Sequence, residues 1–595
     1  MPFPSRPILL ALVLVLSACA SSPRGPAAPA TPAPAAPGAT SSYAAITDPK
    51  AQLVEGFHGV VASATPEATA VGARVLAEGG NAVDAAVAIG FALAVTEPSM
   101  SGLGGRASVL VRAADGTIRG IDGLNQVPKS YKADSGIPDV YERAAIPGVP
   151  AALASALAQH GTWPLARAIE PAIALAENGF IIGEAEAGRW VSAREELAKF
   201  GAGRGTYLKE DGTTWRAGDR VTNPMLARTL RRLASEGVAS FYRGAIAAEI
   251  DRDMAAHGGF LLKNDLAAYD ALPSMVVTGT YRGYRLASNF RPAAGHAVIE
   301  ALQILEDVAV PGADEPARWA AVVGQAMQLA MADRGQRRGT EEESAAWLTS
   351  RDHARTRAKE LVVPDRGAVP APNEIIPFQG AAWWNPPGTL VTAPTDREAT
   401  THYAVTDREG RYVSITQSLG PAMGTRLVAP GLGFIYATRL GTVPGSRPAS
   451  TIAPTIVVPS DDEAVRRGQT PGDRGQTPSP GIVALGGAGD ARIISAVIQV
   501  ISRMVDHDMT LADAVAAPRV HPDALKALSV EEGPVAAWTA ADRARLEKWG
   551  FKLTGQPSGF FGRVHAVMGP PTKDAPAIGV AEPRWTGGAA GPARR

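Results

Sequence analysis

Two adjacent threonines, Thr400 and Thr401, lie in the stretch "DREATTHYAV" (396–405), between a charged, loop-like run and a short apolar strand pattern. A threonine hydroxyl is a poor nucleophile unless a base accepts its proton. A threonine at the start of a chain carries its own base, because an α-amino group has a pKa of about 8 and is partly neutral near pH 7. Thr400 is therefore either an ordinary strand residue or a nucleophile released by cutting the Ala399–Thr400 bond.

The residues that follow Thr400 predict a β-hairpin. The runs "TTHYAV" and "RYVSITQS" are rich in β-branched and aromatic residues and flank a turn that ends at Gly410. If Gly410 takes the left-handed position of a G1 bulge, Thr400 lies opposite Ser418, and without the bulge it faces Gln417. These residues alone favour a threonine-rich edge strand over a nucleophile.

A second candidate is the Gly-rich turn in "LGGAGDARIISAV" (485–497), which lies between a strand pattern and a helix pattern. Backbone N–H groups at the start of a helix can bind a phosphate or an oxyanion. The G-x-G-x-x-G spacing of dinucleotide sites is absent, and so are H-E-x-x-H and G-x-S-x-G. The nine histidines have no metal-ligand spacing, so we expect no metal site.

The surrounding patterns predict the elements that must position these residues. We expect helices at 66–78 and 82–95, the second buried within layers, and a β-hairpin around Asp115-Gly116. Residues 149–270 read as mostly helical, whereas strand patterns dominate after residue 399. Helices outside and strands inside favour a layered α/β sandwich.

Composition limits the class of protein. The 595 residues are too many for one simple core, and 46% of them are hydrophobic, which favours a largely globular chain of two domains or one layered fold. Lys plus Arg and Asp plus Glu both count 58, so the balance of charge gives no reason to expect a nucleic-acid partner.

The beginning of the chain predicts export. Cys19 is the only cysteine, and it ends the apolar run "ILLALVLVLSAC", which follows Arg6. Leu16 to Cys19 resembles the bacterial lipobox, in which the cysteine is lipidated, although a plain secretory signal is the alternative. We expect residues 1–19 to be a lipoprotein signal, residues 20–52 to be a disordered Ala/Pro-rich tether, and the protein to be anchored on the periplasmic side, at the outer membrane.

Several blocks together resemble the gamma-glutamyltransferase family: "GGNAVDAAVAIGFALAVTEPSMSGLGG" (79–105), "TTHYAV" (400–405), "SRPASTIAPTIVV" (446–458) and "GGAGDARII" (486–494). The resemblance implies the four-layer αββα sandwich of N-terminal-nucleophile hydrolases, with no cofactor. It also implies a precursor that cuts itself before Thr400. A large region, 53–399, would then stay associated with a small region, 400–595, and act on a small acyl amide of the glutathione type.

Carried over residue by residue, the resemblance assigns roles in the site. Thr400 matches the nucleophile, and Ser418 falls where the family has a supporting threonine. Ser450 and Thr451 match a pair that contacts the substrate carboxylate. The two residues whose N–H groups would bind the oxyanion are Gly489 and Asp490.

The chain departs from the family pattern where the substrate is held. Leu124 replaces the arginine that pairs with the α-carboxylate, Gly420 replaces an asparagine, and the amine-binding carboxylate falls near Thr442. These losses predict weak turnover of glutathione and a preference for less charged acyl amides. This prediction would fail if Arg106, Arg439 or another cation of this chain binds the substrate carboxylate instead.

Two other functions fit the same residues. One is a degenerate relative that serves as a periplasmic binding or scaffold protein, which the replaced arginine and Asp490 favour. The other is an acylase that acts on different amides, such as the side chains of β-lactams. Self-cleavage distinguishes the scaffold hypothesis from the two enzyme hypotheses, because a scaffold protein does not need to be cut.

The lipobox gives a test of localisation. Replacing Cys19 by serine removes the thiol that would carry the lipid, so Cys19→Ser should move the protein from the membrane fraction to the soluble fraction. Fractionation and the intact mass of the wild type measure this. A soluble wild type without a lipid mass would contradict the prediction.

Overall fold

The structure is a computed structural model that describes residues 53–132, 139–365, 399–460, 481–570 and 575–592. The predicted signal and tether lie outside these residues. Within them, no helix is both long enough and apolar enough to cross a bilayer.

The described strands are β1 Leu53–Gly56, β2 Gly59–Ser63, β3 Arg106–Arg112, β4 Ile118–Gly123, β5 Phe180–Ile181, β6 Arg220–Val221, β7 Leu272–Ser274, β8 Val276–Tyr281, β9 Tyr284–Asn289, β10 Ala399–Asp407, β11 Tyr412–Gly420, β12 Thr455–Pro459, β13 Val483–Ala488, β14 Val520–Ala524, β15 Ala527–Glu531, β16 Lys552–Gln556, β17 Arg563–Met568, β18 Ala577–Val580 and β19 Gly588–Ala590.

The described α-helices are α1 Pro66–Ala77, α2 Ala82–Thr96, α3 Val149–His160, α4 Leu165–Asn178, α5 Glu184–Ser192, α6 Arg194–Leu197, α7 Gly201–Tyr207, α8 Pro224–Glu236, α9 Ala239–Tyr242, α10 Ala245–Ala256, α11 Lys263–Ala267, α12 Gly295–Glu306, α13 Pro316–Asp333, α14 Glu341–Leu348, α15 Arg351–Ala358, α16 Arg492–Asp506, α17 Leu511–Ala516 and α18 Ala540–Lys548.

Two seven-stranded sheets form the centre of the fold. The front sheet, which contains Thr400, has the order β19-β2-β10-β11-β3-β4-β7, and the rear sheet has the order β1-β18-β17-β13-β12-β9-β8. Each sheet takes strands from both sides of residue 400. Cutting the chain there would leave two pieces whose strands interleave in both sheets.

Three hydrophobic cores separate four layers. One core joins α1, α2 and the helices of residues 149–256 to the front sheet, and a second joins α12, α13 and α16 to the rear sheet. The third lies between the sheets and includes Leu110, Ala404, Ile456 and Val567. The predicted four-layer αββα sandwich is confirmed.

The predicted local elements are also confirmed. The helices α1 and α2 match the two predicted after Pro66, and every residue of α2 is buried. An Asn81–Asp84 capping box starts α2, since Asn81 accepts from the N–H of Asp84 and Asp84 accepts from the N–H of Asn81. The hairpin at Asp115-Gly116 joins β3 and β4.

The β10–β11 hairpin has the register that the bulge at Gly410 predicts. Gly410 has a φ of 78°, and its N–H donates to the carbonyl of Asp407. Thr400 pairs with Ser418, and the register shifts between Ala399 and Thr400. The turn therefore sets which side chain lies opposite Thr400.

Asp407 fastens this hairpin to helix α2. Its carboxylate accepts hydrogen bonds from the N–H groups of Ala82, Glu409 and Arg411, each at 3.0 Å. Because Asp407 and the Ala82 N–H are buried, removing the carboxylate leaves that N–H without an acceptor.

We expect Asp407→Ala to lower the free energy of unfolding by roughly 2–4 kcal/mol, since buried unsatisfied donors are costly. Arg408→Ala is the matched control, because this neighbouring side chain is largely exposed. Thermal unfolding of both variants measures the difference. Equal midpoints for Asp407→Ala and wild type would show that the carboxylate does not fasten the hairpin.

Candidate active site

Three side chains lie in a row across neighbouring strands of the front sheet. Thr400 on β10 pairs with Ser418 on β11, and Ser418 pairs in turn with Arg106 on β3. Directly paired residues point to the same face of a sheet. The register therefore places a hydroxyl, a second hydroxyl and a guanidinium side by side.

The Ser418 hydroxyl joins this row together. It accepts hydrogen bonds from Thr400 Oγ1 at 3.2 Å, from Arg106 Nη2 at 3.1 Å and from the N–H of Gly420 at 3.0 Å. It donates its own proton to the carbonyl oxygen of Ala399 at 2.5 Å. The bond before Thr400 thus has its carbonyl polarised by one hydroxyl, with a second hydroxyl alongside.

The alternation of β10 directs Thr400 into the space between the sheets. His402, two residues on, lies against β13, where a Cβ at Gly486 would come within 2.5 Å of its imidazole ring. Glycine at 486 is therefore required for the two strands to approach. His402 Nδ1 lies 2.9 Å from Thr416 Oγ1, and burial holds the pKa of His402 well below its ordinary value, as expected for a packed strand histidine.

The Gly-rich turn follows β13 and leads into α16. Gly489 has a φ of 127° and Asp490 a φ of 53°. Their carbonyls accept from the N–H groups of Arg492 and Ile493, at 3.1 and 3.0 Å. Gly489 and Asp490 thus form the turn that leads into the N-terminal end of α16, and the predicted role of their N–H groups in binding an oxyanion stays a prediction.

Asp490 meets the predicted substrate-binding pair. Thr451 Oγ1 donates to Asp490 Oδ1 at 3.1 Å. Ser450 is buried, and its hydroxyl accepts from the N–H of Ile452 at 3.3 Å while its carbonyl accepts from Arg334 Nη1 at 3.2 Å. The structure therefore brings Ser450, Thr451 and Asp490 together.

The Asp490 carboxylate acts electrostatically on the guanidinium groups of Arg106 and Arg334. Burial lowers the pKa of Arg106 to about 10 and that of Arg334 to about 10, and the negative charge of Asp490 partly offsets this effect in both. Asp490 therefore lies in a positive environment rather than a neutral one. Sequence reasoning missed Arg334, because only the fold brings it to Ser450.

Arg439 has other partners. Its Nε donates to the carbonyl of Glu142 at 3.1 Å and its Nη1 to the carbonyl of Gly441 at 2.9 Å. Its guanidinium lies 3.7 Å from the ring centroid of Tyr131. These contacts hold loop backbone together and do not include Thr400 or Ser418. Nη2 of Arg439 is buried without a hydrogen-bond partner among the described residues, so the predicted role of Arg439 in binding substrate stays a prediction.

A buried cluster of ionisable side chains lies at the end of α13, next to Arg334. Glu300, Asp333 and His353 come from three helices, and their ligand atoms lie within 4.8 Å of one another. Burial would lower the pKa of His353, but hydrogen bonds to Asp333 and Glu300 outweigh it and raise the pKa to about 9. Arg357 Nε lies 2.8 Å from Asp333 Oδ2. His353 Nε2 lies 2.9 Å from Glu300 Oε1 and 3.1 Å from Asp333 Oδ2, so the cluster joins the end of α13 to α12 and α15.

Comparison with known proteins identifies the family. A model of the gamma-glutamyltranspeptidase family matches residues 68–592. The chain belongs to the gamma-glutamyltranspeptidase family. This membership confirms the resemblance read from the sequence and assigns the protein to a family of enzymes.

The alignments with individual relatives cover most of both chains. The glutathione hydrolase proenzyme of Escherichia coli K12 is 32% identical over 524 residues, covering 81% of this chain and 84% of the relative. The acylase ACY 1 proenzyme of Pseudomonas sp. V22 is 30% identical over 495 residues, covering 78% and 82%. A crystal structure of cephalosporin acylase from Bacillus halodurans superposes with a TM-score of 0.75 at 25% identity, covering 94% of this chain and 99% of that one.

Sequence reasoning also missed Glu97, which lies at the end of α2 near strand β10. Thr401 points away from the row, and its hydroxyl interacts with Glu97. Burial raises the pKa of Glu97 from 4.5 to about 7, while nearby Arg189 lowers it and Glu186 raises it further. The carboxyl is therefore neutral below this value and charged above it.

This shift predicts a pH dependence of stability. Because the folded state binds the proton of Glu97 more tightly than the unfolded state, its stabilising effect is complete below about pH 4.5 and is lost as the pH rises through about 7. The total is roughly 3 kcal/mol. Glu97→Gln keeps a neutral side chain, so its unfolding temperature should fall less than that of the wild type across this range.

The control for this measurement is Glu55→Gln, which changes an exposed carboxylate. It should keep the wild-type pH profile. If Glu97→Gln also keeps that profile, the Glu97 carboxyl does not titrate in this range.

Proposed function

We propose that this protein is a self-processing amidohydrolase that cleaves γ-glutamyl or related acyl amides through an acyl-enzyme on Thr400. The single observation that carries the proposal is the Ser418 hydroxyl, which contacts both Thr400 Oγ1 and the carbonyl of Ala399. Pairing of two strands does not require a hydroxyl that polarises a peptide carbonyl. Here the Ser418 hydroxyl polarises the carbonyl before Thr400, and the Thr400 hydroxyl lies beside it.

Processing follows from this geometry. Thr400 Oγ attacks the carbonyl carbon of Ala399, the C–N bond breaks, and the acyl group passes from nitrogen to oxygen. The hydroxyl proton passes to the nitrogen, which becomes the α-amino group of Thr400. Ser418 stabilises the negative charge that develops on the carbonyl oxygen. Water then hydrolyses the ester, which frees the Thr400 hydroxyl and leaves a carboxylate on Ala399.

Turnover uses the α-amino group of Thr400, which processing releases. The α-amine of Thr400 accepts the proton of its own hydroxyl, and Oγ attacks the carbonyl of the acyl amide. The N–H groups of Gly489 and Asp490 bind the oxyanion, and the departing amine takes the proton. Water or a second amine then releases the acyl group from Thr400.

The names of the relatives support this substrate class. The Escherichia coli relative is a glutathione hydrolase, and both the Pseudomonas relative and the Bacillus halodurans structure are acylases. An acylase of other amides is the second candidate, because Leu124 removes a cation that a γ-glutamyl group would use.

Export belongs to the same proposal. The lipobox at Cys19 and the Ala/Pro-rich tether at 20–52 would hold the folded body on the periplasmic side of a membrane, at the outer membrane. The substrate would then be a small amide outside the cytoplasm.

Processing gives the direct test of the proposal. The purified wild type should contain two associated fragments, 19–399 and 400–595, and the smaller should begin Thr-Thr-His. Thr400→Ala should remain one chain, because no hydroxyl is left to attack the Ala399 carbonyl. A denaturing gel and N-terminal sequencing of both proteins measure this.

The matched control is Thr401→Ala, whose side chain faces Glu97 and the helices rather than Ser418, and it should still be cut. Cleavage of Thr400→Ala would point to an external protease. An uncut, inactive wild type would support the scaffold function instead.

A further inference from the structure

Three side chains of the types that bind metal ions meet among the helices that pack on the rear sheet. Glu300 lies on α12, Asp333 is the last residue of α13, and His353 lies in the first turn of α15. One oxygen of each carboxyl group and one ring nitrogen of the histidine lie within 4.8 Å of one another. The sequence predicted no metal site, because the spacing of its histidines does not show which helices meet.

The distances between these atoms suit the ligands of one small cation. His353 Nε2 lies 2.9 Å from Glu300 Oε1 and 3.1 Å from Asp333 Oδ2. Ligand atoms about 2.1 Å from a transition-metal ion lie about 3.0 Å apart around an octahedron and about 3.4 Å apart around a tetrahedron. Binding a cation among the three atoms therefore requires only small shifts of the side chains.

Both carboxyl groups are buried, whereas the imidazole reaches the surface. Glu300 is 0% exposed and Asp333 is 2% exposed. Carboxylates taken out of water require a cation or hydrogen-bond donors close by. The side chain of His353 is 8% exposed, which gives an ion and its water ligands a way in from solvent.

Asp333 has supporting contacts of the kind that metal-binding carboxylates have. Gln336 Nε2 donates to its Oδ1 at 2.6 Å, and Arg357 Nε lies 2.8 Å from its Oδ2. Such contacts orient a ligand toward the metal. Asp333 also ends α13, and the dipole at the C-terminal end of a helix disfavours a carboxylate and favours a cation. A bound cation would therefore offset an unfavourable position of this side chain.

The charges of the cluster allow two interpretations. With both carboxyl groups ionised and the imidazole neutral, Glu300, Asp333, His353 and Arg357 carry one net negative charge, and this form attracts a cation. A metal-free cluster is the alternative, in which a protonated His353 donates to both carboxylates. Because a metal ion must displace that proton, binding of a metal ion by the purified protein distinguishes the two.

We propose that Glu300, Asp333 and His353 bind one divalent transition-metal ion, with water completing its coordination. One imidazole with two carboxylates favours Zn²⁺ or Mn²⁺ over Mg²⁺ and Ca²⁺, which prefer oxygen ligands alone. The ion has a structural role, because it joins α12, α13 and α15. It also fixes the end of α13, where Arg334 donates to the carbonyl of Ser450 at 3.2 Å. This inference goes beyond the proposed function and does not require cleavage before Thr400.

Calorimetric titration with Zn²⁺ tests the site in the full-length, untagged protein after its metals have been removed with a chelator. We expect one Zn²⁺ per chain, with a Kd of roughly 1 μM or tighter, and much weaker binding of Mg²⁺. Free Zn²⁺ at 100 times the Kd should raise the unfolding temperature by roughly 2 °C. Absence of saturable Zn²⁺ binding would overturn the proposal and support the metal-free cluster.

Variants assign the ion to these residues. Glu300→Gln and His353→Gln each remove one ligand and should weaken Zn²⁺ binding by at least about 100-fold. His257→Gln is the matched control, because His257 Nδ1 lies 3.3 Å from Asp253 Oδ1 and no third ligand group joins this pair among the described residues. It should bind Zn²⁺ as the wild type does. Wild-type affinity in both Glu300→Gln and His353→Gln would overturn the proposal.

X-ray absorption at the zinc edge gives a result that needs no variant, should one of them fail to fold. The Zn²⁺ complex of the wild type should show one imidazole, with oxygen atoms as the other ligands, at about 2.0–2.2 Å. No imidazole, two or more imidazoles, or a sulfur ligand would each contradict the proposed site. An uncut or inactive protein would refute the proposed function without changing these results, so the two proposals can fail separately.

Discussion

The rest of the site depends on one hydroxyl group, that of Ser418. It accepts from Thr400, Arg106 and Gly420 and donates to the carbonyl of Ala399. A serine hydroxyl has one proton to donate, and Ser418 donates it to the carbonyl oxygen of Ala399. That carbonyl belongs to the bond that we propose is cut.

This arrangement requires the strand register, and the register comes from the turn. A bulge at Gly410 offsets β10 against β11 so that Thr400 faces Ser418. A one-residue slip would turn Thr400 toward the helices and Thr401 toward the other sheet. Asp407 opposes such a slip, because it binds the turn and the start of α2 together.

The same hairpin explains how the chain would remain folded if it were cut before Thr400, as we propose. Strand β10 lies between β2 and β11 in the front sheet. The rear sheet likewise combines β8 and β9 with β12 and β13, which follow residue 400. Separating the two pieces would expose the apolar cores between all four layers to water. This exposure is unfavourable, so the pieces should stay associated after the peptide bond is broken.

The sequence predicted the parts of the fold that depend on local patterns. Helices α1 and α2, the two hairpins and the pairing of Thr400 with Ser418 all follow from periodicity and turn residues. The position of Arg106 beside Ser418 depends on the pairing of β3 with β11, which no local pattern specifies. The contacts of Arg439 with backbone carbonyls and with Tyr131 likewise depend on the fold, and its predicted role in binding substrate stays a prediction.

The cluster of Glu300, Asp333 and His353 shows the same limit. Its members come from three different helices, so their sequence spacing carries no signal of a site. Arg334 likewise reaches Ser450 only because α13 ends beside the rear sheet. Such groups become visible only when the packing of helices and sheets is known.

The claim that the Ser418 hydroxyl polarises the Ala399 carbonyl is tested most directly by the rate of self-cleavage in purified precursor. Single-turnover time courses of wild type, Ser418→Thr and Ser418→Ala would be followed by intact mass. The account predicts cleavage in Ser418→Thr, which keeps the hydroxyl, and a loss of about 10²- to 10³-fold in Ser418→Ala, as for removal of one oxyanion donor. Cleavage of Ser418→Ala at the wild-type rate would contradict it.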